Sequence, residues 1–146
     1  MKKKTPVIVS ACLCGVPCRY DGKSGRVEEL AQLYEQGLAL LVCPEVDGGL
    51  DTPRPPCEIV NGRVLDREGG DVTENFLLGA RKALELAQSR GVRLAVLKEK
   101  SPSCGSSLVY DGSFSGRLVP GQGVTAALLA SVGIRVCNET NFHDFI

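Results

Sequence analysis

The sequence predicts a single α/β domain over residues 1–146, a small Rossmann-like three-layer fold with an approximately four-stranded parallel sheet and one inserted β-hairpin. Two observations support this prediction. Short apolar runs alternate with helical patterns, as in parallel sheets whose strands are joined by right-handed crossovers. The 146 residues are 43% hydrophobic, which suits one domain with a sizeable core.

Two apolar runs separated by a helical pattern open the chain. Residues 6–12 and 38–43 have the continuous apolar character of buried parallel strands. Between them, residues 26–36 carry apolar side chains at helical spacing and stop at Gly37, which predicts a helix. The polar segment 14–25 contains several turn formers, so we expect a loop there.

A proline-rich segment and a hairpin follow the second strand. Residues 44–56 contain four prolines and two glycines, from which we expect a stiff loop with neither helix nor central strand. Asn61-Gly62 suits the positive φ angles of a type I′ turn. It therefore predicts a β-hairpin that pairs residues 57–60 with residues 63–66.

The second half of the chain completes the alternation of strands and helices. Asp71 and Glu74 have the spacing of a capping box at the start of a helix over 72–89. The Gly- and Ser-rich stretch 110–120 is expected to be an excursion that covers the site. The remaining predicted elements are a strand from residue 92 to 97, a helix over 124–132 and a strand over 134–137.

Charge and cysteine content limit the possible functions. Lys and Arg number 17, as do Asp and Glu, so no net charge attracts the protein to nucleic acid or a membrane surface. No apolar run approaches the roughly 18 residues of a membrane span, and we expect a soluble cytoplasmic protein. Seven cysteines without an evident export signal favour metal or redox work over disulfides.

Three cysteines lie at or just beyond the carboxyl ends of predicted strands. Cys12, Cys43 and Cys104 should meet at one sheet edge, where open α/β folds bind ligands. The C-x-x-C pairs typical of structural zinc sites and redox thiols are absent from the sequence. Ligands from separate loops favour a cluster with one open iron, while zinc, thiol redox chemistry and plain core packing remain alternatives.

Polar residues in the same loops are candidates for chemistry. Glu45 follows Cys43 closely and could act as a general acid or base, or be only a solvated loop carboxylate. Ser101 and Ser103 could hydrogen-bond a substrate heteroatom or cap the following turn. Arg19 and Arg54 could fix an anion or a planar heterocycle, or simply bridge neighbouring carboxylates.

Several segments together resemble the bacterial thiouracil desulfidase family, long catalogued only as a domain of unknown function. The matching segments extend over most of the chain and are highly specific in combination. They are Ser10-Ala-Cys-Leu13, Cys18-Arg-Tyr-Asp-Gly22, Cys43-Pro-Glu45, Gly48-Gly-Leu50, Thr52-Pro-Arg-Pro-Pro56, Leu97-Lys98 and Ser101-Pro-Ser-Cys-Gly105.

The resemblance implies an iron–sulfur enzyme. A [4Fe-4S] cluster would be held by Cys12, Cys43 and Cys104 only, leaving one iron free to take the sulfur of a thiolated nucleobase. Cys18 also belongs to the matching segments and could replace Cys43 as a ligand or be a nearby thiol. The reaction would convert 2-thiouracil to uracil and sulfide.

The same resemblance implies roles for the polar residues. Glu45 would transfer protons and, with Ser101, form the catalytic pair. The expected substrate-binding residues are Ser103, Arg19 and Arg54. The partner would be a small thiolated base, since charge neutrality argues against nucleic acid. The alternatives are a metal- or cluster-stabilised binding module without turnover, and desulfuration of another thiolated compound such as a modified tRNA base.

Overall fold

Residues 5–146 are described by a computed structural model with a parallel sheet at its centre. Strands of three or four residues alternate with helices along the chain. The strands are β1 (Val7–Ser10), β2 (Ala39–Val42), β3 (Cys57–Val60), β4 (Arg63–Asp66), β5 (Leu94–Leu97), β6 (Leu108–Tyr110), β7 (Leu118–Pro120) and β8 (Arg135–Asn138). The helices are α1 (Glu28–Glu35), α2 (Pro44–Asp47), α3 (Thr73–Ser89) and α4 (Val124–Ser131), with 3₁₀ turns at Ala11–Cys14 and Phe142–Asp144.

The central sheet has the strand order β2-β1-β5-β8, and all of its pairings are parallel. Helices cover both faces because successive side chains of a strand point to opposite sides. Val9 shares a core cluster with Leu30 of α1, whereas the adjacent Ile8 shares one with Ala83 of α3 and Leu129 of α4. The predicted α/β class and its four-stranded parallel sheet are confirmed.

The strand order places a topological switch point at β1. The chain leaves β1 toward β2 on one side, and β5 pairs with β1 on the other. In such sheets, the loops that follow the strands diverge at the switch point and leave a crevice at the carboxyl edge. Across residues 5–146, no helix combines the length and apolar character needed to cross a bilayer.

The expectation of a loop without helix over 44–56 is wrong at its first residues. Pro44–Asp47 forms the one-turn helix α2, because a proline at the first helical position loses no hydrogen bond there. Close approach ties α2 to α3: a Cβ on Gly79 would overlap the carbonyl group of Pro44. Lys82 of α3 also donates to the carbonyl oxygen of Asp47 at 2.8 Å.

The predicted capping box is likewise absent. The residue before α3 is Val72, which makes no side-chain cap. Asp71 instead accepts a hydrogen bond from the Thr73 N–H at 2.9 Å and pairs with Arg63 at 3.0 Å. Asp71 therefore still satisfies one backbone N–H at the start of α3, but its second partner is Arg63 of the neighbouring hairpin and not Glu74.

Two antiparallel hairpins accompany the sheet, one more than predicted. The first pairs β3 with β4 around Asn61 and Gly62, whose φ angles are 48° and 78° as the turn requires. The second pairs β6 with β7 inside the Gly- and Ser-rich stretch. Pro120 ends this second hairpin at a position where a missing N–H is tolerated.

Candidate active site

A pocket of about 430 Å³ opens at the carboxyl edge of the parallel sheet. Its walls include the loops that follow β1, β2 and β5, as expected at a switch point. Ser103 is not among the residues that line it. The other seven predicted site residues line it: Cys12, Arg19, Cys43, Glu45, Arg54, Ser101 and Cys104.

Three separate chain segments bring the predicted thiol ligands to this pocket. Cys12 lies in the 3₁₀ turn after β1, Cys43 directly precedes α2, and Cys104 lies in the loop after β5. Cys12 and Cys104 are buried, and Cys43 is half-buried. Their juxtaposition follows from the parallel sheet, while their role as ligands stays a prediction.

A fourth thiol, Cys18, lies between Cys12 and Cys43. Hydrogen bonding with Cys12 and burial raise the pKa of Cys18 to about 11, although a hydrogen bond with Cys43 acts in the opposite direction. The same contact with Cys18, together with burial, raises the pKa of Cys43 well above its ordinary value. The sulfur of Cys43 also donates to the Cys18 carbonyl oxygen at 3.7 Å. These side chains form a contiguous thiol group on one side of the pocket.

Cys104, the third predicted ligand, lies in the loop after β5. Burial raises the pKa of Cys104 to about 12, and the nearby charges of Glu45 and Cys43 act in the same direction. Hydrogen bonds with Ser10 and Ser103 oppose this rise. Metals bind cysteine as the thiolate, so metal binding at these thiols would release protons.

The donor set of the pocket fits an iron–sulfur cluster. Within the described range 5–146, no three Cys, His, Asp or Glu side chains converge closely enough to hold one metal ion. A cluster takes its cysteines on different iron atoms, so its ligands surround a cavity. Cys12, Cys43 and Cys104, on separate loops around one pocket, meet this requirement.

Glu45 is held in the pocket by a buried ion pair. Its Oε1 accepts a hydrogen bond from the Arg54 Nε at 3.0 Å, and the two side chains are only 14% and 6% exposed. Arg54 also donates to the carbonyl oxygens of Cys18 and Asp51, each at 3.0 Å. Arg54 therefore orients the carboxylate and joins the loops that follow β1 and β2.

Ser101 is the second partner of Glu45. Its hydroxyl lies 3.4 Å from Oε2 of Glu45 and accepts hydrogen bonds from the backbone N–H groups of Ser103 and Cys104. These bonds fix the turn that carries Cys104. The Ser103 side chain is fully buried, and its hydroxyl lies 2.7 Å from that of Thr125 in α4, away from the pocket lining.

Arg19 lies at the rim of the pocket, where its side chain is 33% exposed. Among the residues that the structure describes, its guanidinium makes a single hydrogen bond, to the carboxylate of Asp21 at 3.4 Å. Of the two predicted arginines, Arg19 therefore has the greater freedom to meet a bound molecule. Its role in substrate binding stays a prediction.

The sequence reasoning missed Glu99, a buried carboxylate in the wall of the pocket. Glu99 accepts hydrogen bonds from the Ser106 and Ser107 N–H groups at 2.8 and 3.1 Å, and from the Asn138 side chain at 2.7 Å. Burial opposes ionisation, but hydrogen bonds from the Ser107 side chain and from the backbone N–H groups of Ser107, Leu108 and Lys100 outweigh it and lower the pKa of Glu99 to about 2. Its position two residues after the parallel strand β5 was the available signal.

The sequence reasoning also missed the wall formed by the two hairpins. Glu58 of β3 and Tyr110 of β6 line the pocket together with Phe114, which lies in the turn between β6 and β7. Tyr20 from the loop after β1 adds a third aromatic ring. The expected cover over 110–120 thus contributes aromatic surface to the site.

Fold and pocket together define a class of protein, a parallel α/β domain that gathers thiols and a paired carboxylate at a topological switch point. The chain belongs to the 2-thiouracil desulfurase family, whose model matches residues 7–141. The resemblance carried by the sequence motifs is thereby confirmed.

Two known proteins are similar to the whole chain. A solved structure described as the [4Fe-4S]-dependent thiouracil desulfidase TudS is 48% identical, covers 97% of this chain and 95% of its own, and superposes with a TM-score of 0.93. The uncharacterized protein YbbK of Bacillus subtilis strain 168 is 41% identical over 150 residues, which span 96% of this chain and 99% of YbbK.

Proposed function

We propose that this protein is a [4Fe-4S]-dependent desulfidase that converts 2-thiouracil and water to uracil and hydrogen sulfide. One observation carries the proposal: three thiols from separate loops and the Arg54-paired carboxylate of Glu45 line a single pocket. The 48% identity to a [4Fe-4S]-dependent thiouracil desulfidase over nearly the whole chain supports it.

Cys12, Cys43 and Cys104 would hold the cluster, which supplies Lewis-acidic iron for the sulfur atom of the substrate. The protein's own residues then handle the protons. Glu45 takes a proton from the water that adds to the thiolated carbon, and it returns a proton to the departing sulfur. The exchange replaces C=S with C=O, and its atoms balance without an external oxidant or reductant.

Arg54 and Ser101 orient the Glu45 carboxylate for proton transfer. The guanidinium donates a hydrogen bond that fixes Oε1, while the Ser101 hydroxyl contacts Oε2. Because both side chains of the ion pair are largely buried, the carboxylate is held in one orientation toward the pocket. These contacts support Glu45 as the catalytic base and Ser101 as its positioning partner.

We further propose that the substrate is a small thiolated base handled in the cytoplasm. The formal net charge of zero supports a free base over a polynucleotide. All seven cysteines are free, and five of them line the pocket: Cys12, Cys18, Cys43, Cys57 and Cys104. Free thiols and an oxidisable cluster suit a reducing compartment.

The test is a sulfide-release assay after anaerobic iron and sulfide reconstitution. We expect equimolar uracil and sulfide from 2-thiouracil, and a loss of at least about 100-fold in kcat for Glu45→Gln, which removes the proton-transfer group. Iron per chain should be the same in both proteins. Iron-loaded wild-type protein that releases no sulfide from 2-thiouracil would overturn the proposal, and a thiolated tRNA base tested in parallel would identify a different substrate.

A further inference from the structure

We propose that Glu58 is a positioning residue that holds the ring of Phe114 against the pocket, where the ring stacks on the planar heterocycle of the substrate. The inference deepens the proposed function and rests on it for the identity of the ligand. It concerns binding and selection of the base, not the proton transfer assigned to Glu45.

Glu58 links the two hairpins through its side chain. It belongs to β3 and is 7% exposed, yet its carboxylate serves the other hairpin. The Oε1 atom accepts hydrogen bonds from the backbone N–H groups of Gly112 at 2.9 Å and Phe114 at 3.1 Å. A charged acceptor on two N–H groups fixes the turn between β6 and β7 more firmly than a neutral one would.

The turn is pressed against β3 at the same point. A Cβ on Gly112 would lie 2.7 Å from the carbonyl oxygen of Ile59, so only glycine allows this approach. Gly112 also has a φ of 93°, which glycine adopts at little cost. The close contact at Gly112 and the hydrogen bonds to Glu58 therefore fix the turn in one position against the first hairpin.

Phe114 has an unfavourable backbone conformation in this turn. Its φ is 56°, a left-handed value that is uncommon for residues other than glycine, asparagine and aspartate and is costly for a bulky side chain. Such conformations persist when the surrounding structure enforces them, and they concentrate at functional sites. The two hydrogen bonds to Glu58 supply that enforcement, and the result is an aromatic ring in the pocket wall.

The composition of the wall points to a planar ligand. Phe114 and Tyr110 line the pocket from the second hairpin, and Tyr20 lines it from the loop after β1. Aromatic side chains bind nucleobases by stacking, and removing one such ring weakens binding by roughly ten-fold or more. A thiolated pyrimidine has a flat aromatic face that can stack on Phe114, while its sulfur and ring edge remain available to the polar groups of the pocket.

Four variants of the reconstituted protein test the inference. Phe114→Gly removes the ring while relieving the backbone conformation, and Glu58→Ala removes the acceptor. Glu58→Gln retains an amide oxygen that can accept from the same N–H groups. Glu85→Ala, on an exposed position of α3 outside the pocket lining, is the matched control for loss of a glutamate side chain.

Two constants are measured for each variant, the KM for 2-thiouracil and the Kd for uracil by calorimetry, with kcat and iron per chain alongside. We expect Phe114→Gly and Glu58→Ala to raise both constants by roughly ten-fold with kcat and iron content retained. Glu58→Gln should raise them less than Glu58→Ala, and Glu85→Ala should match the wild type.

The inference is overturned if Phe114→Gly leaves both constants unchanged, or if iron content falls in step with binding, which would indicate a purely structural role. Wild-type protein that binds uracil without releasing sulfide contradicts the proposed function alone, and the Kd series still decides the role of Phe114. If the wild-type protein binds no uracil, the proposal that a pyrimidine stacks on Phe114 is contradicted.

Discussion

The Arg54 Nε lies 3.0 Å from the Glu45 Oε1, and the same guanidinium bonds the carbonyl oxygen of Cys18 at 3.0 Å. One side chain therefore fixes both the carboxylate assigned to proton transfer and the loop that carries Cys18. Because the Arg54 side chain is only 6% exposed, its bonds are largely protected from competition by water. The site depends on this residue for its shape as well as for its charge.

Replacing Arg54 with Ala should reduce both stability and turnover. The change leaves the largely buried Glu45 carboxylate without its cation, and such losses cost about 3–5 kcal/mol in the free energy of unfolding. Arg54→Lys should recover little, since one ammonium group cannot meet acceptors on separate loops. Urea unfolding and sulfide release measure the two effects.

Arg63→Ala is the control for this prediction. Arg63 pairs with Asp71 at the surface, where the side chains are 53% and 42% exposed, and such pairs contribute little to stability. We expect a change below about 1 kcal/mol in the free energy of unfolding and no change in turnover. If Arg54→Ala and Arg63→Ala lost equal amounts of unfolding free energy and turnover, the role of Arg54 in fixing the site would be contradicted.

Serine substitutions should separate the cluster ligands from their neighbour. We expect Cys12→Ser, Cys43→Ser and Cys104→Ser each to lose most of the bound iron, because a hydroxyl is a poor ligand for a cluster. Cys18→Ser should retain iron. Iron per chain after anaerobic reconstitution, with the absorbance of the cluster, is the measurement.

Cys14→Ser serves as the control for the cysteine series, because Cys14 is buried against α1 and does not line the pocket. It should load iron like the wild type. Iron lost in Cys18→Ser but kept in Cys43→Ser would instead make Cys18 the third ligand, an alternative that the contact between these two residues allows.

Glu99 should make the protein sensitive to acid. Its pKa is lowered from 4.5 in the unfolded chain to about 2 in the folded protein, so its contribution to stability is complete above about pH 4.5 and is lost as pH falls toward 2. In Glu99→Gln this part of the pH dependence should disappear, and stability at neutral pH should fall. Urea unfolding at pH 7, 4.5 and 3 measures both effects.

Asp71 also has a pKa lowered to about 2, so it contributes to the acid dependence of the wild-type protein. The contribution of Glu99 is therefore the difference between the pH dependence of Glu99→Gln and that of the wild type. Asp71→Asn provides the matched surface variant. If the acid dependence of Glu99→Gln followed that of the wild type, the hydrogen bonds from Ser107, Leu108 and Lys100 would not be the source of the lowered pKa.

Gly79→Ala should destabilise the protein, although alanine normally favours a helix over glycine by roughly 1 kcal/mol. The new methyl group would overlap the Pro44 carbonyl and displace α2, which carries Glu45 and follows Cys43. We expect a loss of about 1–3 kcal/mol in the free energy of unfolding, with lower turnover. A gain in stability in the urea unfolding curve would contradict the close approach of α2 and α3.

The sequence predicted the placement of Cys12, Cys43 and Cys104 because parallel strands end at one edge, which is a property of the fold class and needs no side-chain detail. Glu45 was recognisable from its separation from Cys43. That Arg54 could pair with a carboxylate was an expectation, but its acceptors on the Cys18 loop and α2 could not be predicted, because only tertiary packing brings them together.

Local motifs were the least reliable part of the sequence reasoning. Asp71 and Glu74 have capping-box spacing, and Asp71 accepts from the Thr73 N–H, but its second partner is Arg63 of the hairpin and not Glu74. Ser103 stands beside Cys104 in the motif, yet its hydroxyl is buried against Thr125. In each case a neighbouring element supplies a partner that the linear sequence does not reveal.

The strand order also has a consequence for maturation. Cys12 and Cys104 come near each other only after β5 has added to β1, a pairing between segments more than 80 residues apart in the chain. No local stretch can preassemble the three thiols, in contrast to zinc fingers, whose metal organises a short unfolded segment. A cluster can therefore bind all three cysteines only once β5 has paired with β1, so its insertion is tied to formation of the sheet.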